Sequence, residues 1–185
     1  MIQVTGVTKT YGSTAVVDGV SCHIKEGGVT SIIGPNGAGK STLLSIISRL
    51  LKSDAGSVTV AGLDVSAAPG KDLARKMAIL RQDNHLTVRL TVRDLVGFGR
   101  YPHNGGRPTA VCREKIEQAM AFLDLTELAD RFVDELSGGQ RQRAFIAMVL
   151  AQDTDYLLLD EPLNNLDMKH SVEMMRLLRR LTDEL

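Results

Sequence analysis

Val29-Thr30-Ser31-Ile32-Ile33-Gly34-Pro35-Asn36-Gly37-Ala38-Gly39-Lys40-Ser41-Thr42 is the stretch on which the fold turns. Its first five residues are mostly β-branched and run into glycine, which predicts a short buried strand entering a turn, Val29 to Ile33. Beyond it, Leu43, Leu44, Ile46, Ile47 and Leu50 recur at helical spacing, which predicts a helix from Lys40 to about Leu51 with those residues on its buried side. Between the two, Gly34 to Ser41 matches the pattern GxxxxGK[ST]. Glycines let backbone N–H groups turn inward around phosphate oxygens, and the new helix presents its positive end at the same place. Lys40 can reach the β- and γ-phosphates of a nucleotide, and the Ser41 hydroxyl can ligate Mg²⁺. Gly34, Asn36, Gly37, Ala38, Gly39, Lys40, Ser41 and Thr42 are therefore the candidate nucleotide-binding residues.

A metal beside a nucleotide needs a carboxylate. The run Tyr156-Leu157-Leu158-Leu159 reads as a central parallel strand covered on both faces, and Asp160 and Glu161 stand at its carboxyl end. Asp160 can hold Mg²⁺ and Glu161 can polarise an attacking water. A second anion site follows from Leu136-Ser137-Gly138-Gly139-Gln140, 23 positions before Asp160 (160 − 137). Ser137 is placed to cap a helix whose first turn carries Arg141, Gln142 and Arg143, with glycine amides beside it. One chain with one nucleotide does not need two phosphate sites.

The rest of the chain frames these motifs. Strands are expected at Ile2–Val7, at Ala15–Ile24 with a turn at Asp18-Gly19, and at Ser57–Val60 after a turn at Asp54–Ser57. Gly70–Lys76 reads as helix and Met77–Leu80 as strand. From about Asp83 to Ala151 the pattern is mainly helical. It is interrupted by an irregular, breaker-rich loop, Tyr101–Pro108, and Glu114–Leu125 carries Ile116, Ala119, Met120 and Leu123 at helical spacing. Ser171–Leu185 is an amphipathic helix with Val172, Met175, Leu178 and Leu181 on one side. A mostly helical insert thus interrupts an α/β core. The expected division is residues 1–82, a helical 83–153, and 154–185.

The three motifs together resemble the ATP-binding cassette (ABC) family, over essentially the whole chain. That resemblance implies an α/β fold, a P-loop NTPase core with an N-terminal antiparallel β subdomain and an inserted α-helical subdomain. It implies ATP hydrolysis with Mg²⁺, in a head-to-tail homodimer where Ser137, Gly138, Gly139 and Gln140 of one subunit close on the ATP held by Lys40 of the other. Tyr11 looks like the aromatic residue that stacks on adenine. Gln82 looks like the loop glutamine that senses Mg²⁺ and contacts a membrane permease. Asn165-Leu166-Asp167 looks like the loop with which each subunit reads the other, although Asn164 and Asn165 depart from the small residue usual there. The family's γ-phosphate histidine, about thirty residues beyond Glu161, has no counterpart before Leu185. His170 comes too early, and His23, His85 and His103 stand elsewhere. The expectation is a cassette cut short, with a sheet edge and an apolar helix face left uncovered.

Leu90-Thr91-Val92-Arg93-Asp94-Leu95-Val96-Gly97-Phe98-Gly99-Arg100-Tyr101-Pro102 and Asp160–Asp167 resemble ATPases of bacterial importers for ferric siderophores, and more loosely for haem and cobalamin. The implied place is the cytoplasmic face of the cell membrane, through the permease, with an extracytoplasmic siderophore-binding protein as indirect partner. A soluble ABC-type ATPase acting on a protein assembly, and a nucleotide-binding module without turnover, carry the same motifs. Composition sets outer bounds. The chain has 185 residues with 43% hydrophobic and 24% charged, an ordinary globular balance that excludes a disordered chain. Lys plus Arg equal Asp plus Glu at 22 each, which gives no support to a nucleic-acid partner. Cys22 and Cys112 form no CxxC and read as reduced, half-buried thiols of a reducing compartment. No run approaches the roughly 20 apolar residues of a membrane span, and the first residues do not form a signal peptide.

Overall fold

The structure, a computed structural model, describes residues 1–82, 87–163 and 168–184. Asn164, Asn165, Asp167 and His85 lie outside the described residues. Two compact units result, Met1–Met77 together with the end of the chain from Arg179, and Ala78–Leu178.

In the first unit, β1 (Ile2–Tyr11), β2 (Thr14–Ile24), β3 (Ala55–Val60) and β4 (Leu63–Asp64) form an antiparallel sheet ordered β2-β1-β3-β4. Ile2, Val4 and Val7 are all buried although a strict alternation of faces would turn Val7 outward. The ladder slips between Val4 and Val7 against β2 and between Thr5 and Thr8 against β3, and Gly6 has φ 57°. That bulge changes the parity and returns Val7 to the core. Gly56 sits against it, where a Cβ would lie 2.4 Å from the Gly6 carbonyl carbon and oxygen, so only glycine fits. Asp18-Gly19, expected as a turn, is instead a second bulge inside one continuous β2. Two residues lie between the β2 partners Val17 and Val20, while only one lies between their β1 partners Val7 and Lys9. Thr8 Oγ1 accepts the Gly19 N–H at 3.0 Å, so the bulge is satisfied locally. The strand β3 begins at Ala55, inside the expected turn.

The helix α1 (Lys40–Ile47) buries Leu43, Ile46 and Ile47. It stops short of Leu51 because Arg49 takes a left-handed conformation, φ 63°, and the Leu50 N–H turns back to Ser45 O. Leu50 is consequently exposed, against expectation. The larger correction concerns Val29–Ile33, which joins neither sheet among the described residues. Val29 is 58% and Ile33 90% exposed. A strand is a paired object; its sequence propensity creates no ladder without a neighbouring edge to take its N–H and C=O groups. The helix α2 (Gly70–Lys76) matches its expected bounds.

In the second unit, β5 (Met77–Leu80, its first residue shared with the other unit) pairs with β6 (Tyr156–Leu159). Burial along β6 alternates: Tyr156 and Leu158 are buried while Leu157 and Leu159 are half-buried, so it is not covered on both faces. The helices α3 (Val92–Phe98), α5 (Ala110–Phe122) and α6 (Gly138–Ala151) pack on one another through Leu95, Val96, Met120, Ala144 and Ile146. Gly99 permits the closest approach, since a Cβ there would lie 1.9 Å from Met148 O of α6. The expected loop Tyr101–Pro108 opens with a short helix, α4 (Tyr101–Asn104), ended by Gly105 at φ 59°. The helix α5 starts four residues before Glu114 because Thr109 caps it, accepting the Cys112 N–H at 3.1 Å. Cys112 is fully buried and Cys22 half-buried. Burial pushes the Cys112 thiol up, but hydrogen bonds from Thr109, Arg100 and Asn104 outweigh it and hold the thiol below its ordinary range. The last helix, α7 (Met168–Glu184), buries Met174 and Leu181, whereas Val172 and Met175, expected on its inner side, are exposed.

Candidate nucleotide-binding site

Gly37 and Gly39 have φ 80° and 85°, and with them the loop Gly34–Gly39 curls into the start of α1. At Gly39 a Cβ would meet Val16 O of β2 at 2.4 Å, so the sequence's glycine is demanded twice, by conformation and by space. Lys40 Nζ donates to Gly34 O and Pro35 O, each at 3.0 Å, closing the loop on its own ammonium. No side chain caps α1 and no acidic residue stands in its first turn. The first-turn amides and the dipole therefore face the loop without a competing carboxylate, a donor set that fits polyphosphate oxygens. Asn36, Ala38, Ser41 and Thr42 lie along the same turn of chain, and the loop itself is exposed. Tyr11, 53% exposed at the end of β1, belongs to the same hairpin as Val16, with Lys9 Nζ 5.8 Å from its ring centroid.

The second unit carries the other candidates. Asp160 N donates to Leu80 O at 2.9 Å, so the strand ends leading to Gln82 and to Asp160-Glu161 leave the sheet side by side. Gln82 is exposed, Asp160 half-buried and Glu161 exposed. Glu161 has φ 49°, a left-handed backbone uncommon for glutamate and of a kind that clusters at functional sites. Ser137 caps α6 through a capping box: its Oγ accepts the Gln140 N–H at 3.4 Å, and Gln140 Oε1 accepts the Ser137 N–H at 3.0 Å. The hydroxyl proton of Ser137 stays available to donate to a ligand. Gly138 faces open space, and no acidic residue stands in the first turn of α6.

The chain thus carries two helix starts suited to anions and a carboxylate pair at a strand end, a set shared with a known family. The family described as ABC transporter matches residues 17–164. The chain belongs to the ABC transporter family. It is 56% identical to the petrobactin import ATP-binding protein YclP of Bacillus subtilis (strain 168), over all of this chain and 73% of that protein. Against the petrobactin import ATP-binding protein FatE of Bacillus anthracis the identity is 54%, over all of this chain and 74% of that protein. The ATP-binding cassette MJ0796, solved as a dimer in a post-hydrolysis state with ADP and Pi, superposes with a TM-score of 0.84 at 31% identity, covering all of this chain and 84% of its own. The α/β cassette fold and ATPase activity expected from the motifs are thereby established for this ABC ATPase. No helix among the described residues is long and apolar enough to cross a membrane.

Several features of the ABC ATPase were not legible as motifs. Gln142 Nε2 donates to Pro162 O at 3.0 Å, tying α6 to the segment just past Glu161. At the other end of α6, Arg100, 3% exposed, donates from Nη1 to Ala151 O at 2.7 Å, and His103 Nε2 lies 2.7 Å from Gln152 O. The run Arg100–His103 therefore closes the carboxyl end of the helix that Ser137 opens. A breaker-rich stretch opened by an arginine and a histidine is the signal that could have pointed to it. Asp167, the expected subunit-reading residue, lies outside the described residues.

Proposed function

We propose that the chain is the ATP-hydrolysing subunit of a bacterial importer that takes up an iron–siderophore complex. The observation that carries the mechanism is the pair of helix starts, α1 and α6, each shaped for phosphate on a chain expected to hold one nucleotide. Lys40, released from the Gly34 and Pro35 carbonyls, and the α1 amides hold the β- and γ-phosphates. Tyr11 offers its exposed ring to adenine. Ser41 and Asp160 supply oxygen donors of the kind a hard divalent cation takes, and Gln82 completes that set. Mg²⁺, when bound, neutralises charge on the transferred phosphoryl group. Glu161, on the strained strand end, orients and polarises the attacking water.

Ser137 and the amides of Gly138 and Gly139, with Gln140 beside them, then grip the γ-phosphate of the nucleotide on a second copy. Binding favours the closed homodimer because the two phosphate sites share one ligand, and hydrolysis removes that differential affinity. Asp167 reads the other subunit. The dimeric cassette structure and the import ATP-binding relatives support a dimer with a permease as membrane anchor; in this reading an extracytoplasmic binding protein delivers the cargo. Uptake of radiolabelled iron as a ferric siderophore is the direct test. Cells lacking the gene are expected to lose it, and cells complemented with Glu161→Gln to remain deficient. Normal ferric-siderophore uptake in the deletion strain would overturn the cargo assignment.

A further inference from the structure

Arg89 takes no part in the chemistry above, yet it is held by three groups at once. Its guanidinium carbon lies 3.8 Å from the centroid of the Phe132 ring. Nη2 donates to Glu135 Oε1 at 2.8 Å, and Nε is 3.4 Å from Asp134 Oδ2. Glu135 in turn uses Oε2 to accept the Phe132 N–H at 3.3 Å. Main chain reinforces the join: Val133 N donates to Leu90 O and Val92 N to Arg131 O, both at 2.9 Å, around an antiparallel bridge between Thr91 and Phe132.

The two joined segments have distinct destinations. Toward the amino end, Arg89 follows Gln82 by seven residues (89 − 82). Toward the carboxyl end, the turn Val133–Glu135 leads through Leu136 alone to Ser137, the cap of α6. A flat guanidinium can stack on Phe132 and meet two carboxylates in one geometry, which an ammonium cannot. We infer that Arg89 is a positioning residue: it staples the segment Arg89–Val92, at the entry to α3, to the approach to Ser137, so that displacement of one carries the other. Arg89 is 57% exposed along its side chain, and surface ion pairs contribute little to folding. The staple therefore acts on geometry and leaves stability nearly untouched. This inference rests on the reading of Ser137 as a phosphate ligand of the second copy's nucleotide.

The test uses the full-length protein assembled with its permease in lipid nanodiscs, comparing wild type, Arg89→Ala, Arg89→Lys, Glu135→Gln and the double variant Arg89→Ala with Glu135→Gln. Arg89→Ala is expected to lower kcat for Mg-ATP by at least about five-fold, a size typical of coupling through a packed element. KM, the melting temperature and ATP affinity of the isolated subunit are expected to stay close to wild type, within about two-fold for the constants. Arg89→Lys restores part of the rate, and the double variant is no slower than Arg89→Ala, since both changes break one staple. A kcat within two-fold of wild type for Arg89→Ala, or losses that multiply in the double variant, overturns the staple while wild-type turnover leaves the ATPase reading intact. An assembled wild type that does not hydrolyse ATP overturns both.

Discussion

Glu161 holds φ 49° at the end of β6, where a side chain other than glycine pays roughly 1–2 kcal/mol for a left-handed backbone. Glu161→Gly should therefore melt about 1 kcal/mol more stable than wild type while losing hydrolysis. A lower melting temperature would show that side-chain contacts of Glu161 outweigh the strain. Asp54 gives a pH-dependent counterpart. Its hydrogen bond from Lys9, at 2.7 Å, and then that from the Thr10 N–H hold its carboxyl below the ordinary 3.8. A carboxyl depressed on folding stabilises the native state above its unfolded pKa, and the contribution disappears as pH falls through the folded value. Melting curves from about pH 5 downward should show a decline that begins near pH 4 and is shallower in Asp54→Asn.

Helix α6 is the element on which the site depends most, since Ser137 opens it, Gln142 anchors it to Pro162, and Arg100 closes it. Stability and ligand chemistry can be separated at its N-cap. Ser137→Ala removes the cap and should cost about 1 kcal/mol, together with ATPase activity. Ser137→Asp keeps a good cap, so it should melt within about 0.5 kcal/mol of wild type, yet its charge repels phosphate and hydrolysis should stay lost. An active Ser137→Asp protein would remove Ser137 from the phosphate site. The packing of the same helix is tested at Gly99, where an alanine Cβ would overlap Met148 O at 1.9 Å. Gly99→Ala should destabilise by about 1–3 kcal/mol, read from denaturant midpoints, because backbone rather than a flexible side-chain tip must move.

At the scale of the molecule, nucleotide binding and folding are linked. Mg-ATP at a hundred times its Kd adds about 2.7 kcal/mol to the folded state, which for a chain of this size raises the melting temperature by roughly 5–10 °C. Lys40→Ala should abolish the shift. Glu161→Gln should keep it and, in the full-length protein at saturating Mg-ATP, elute as a dimer on size exclusion; monomers throughout would contradict the two-site closure.

Much of this was legible in local chemistry. Lys40 had to begin a helix after a glycine loop, Ser137 had to cap one, and Gly70–Lys76, Met77–Leu80 and Tyr156–Leu159 appear with their expected bounds, because periodicity, caps and glycine act within a few residues. The proposed phosphate-binding residues stand out in the sequence for the same reason, since they are consecutive in the chain. What depends on a distant partner was not. Val29–Ile33 has the composition of a strand and joins no sheet among the described residues, and Asp18-Gly19 looked like a turn where pairing with β1 makes it a bulge. The left-handed backbone of Glu161, the hold of Arg100 on Ala151 and that of Arg89 on Phe132 link residues far apart in sequence or reflect packing around one residue. Local sequence determined which segments could bind phosphate, through backbone geometry that glycine and capping side chains set by themselves. Tertiary structure alone decided which segments pair and which residues hold the site in place, because hydrogen bonds and packing need a partner that only the folded chain brings within reach.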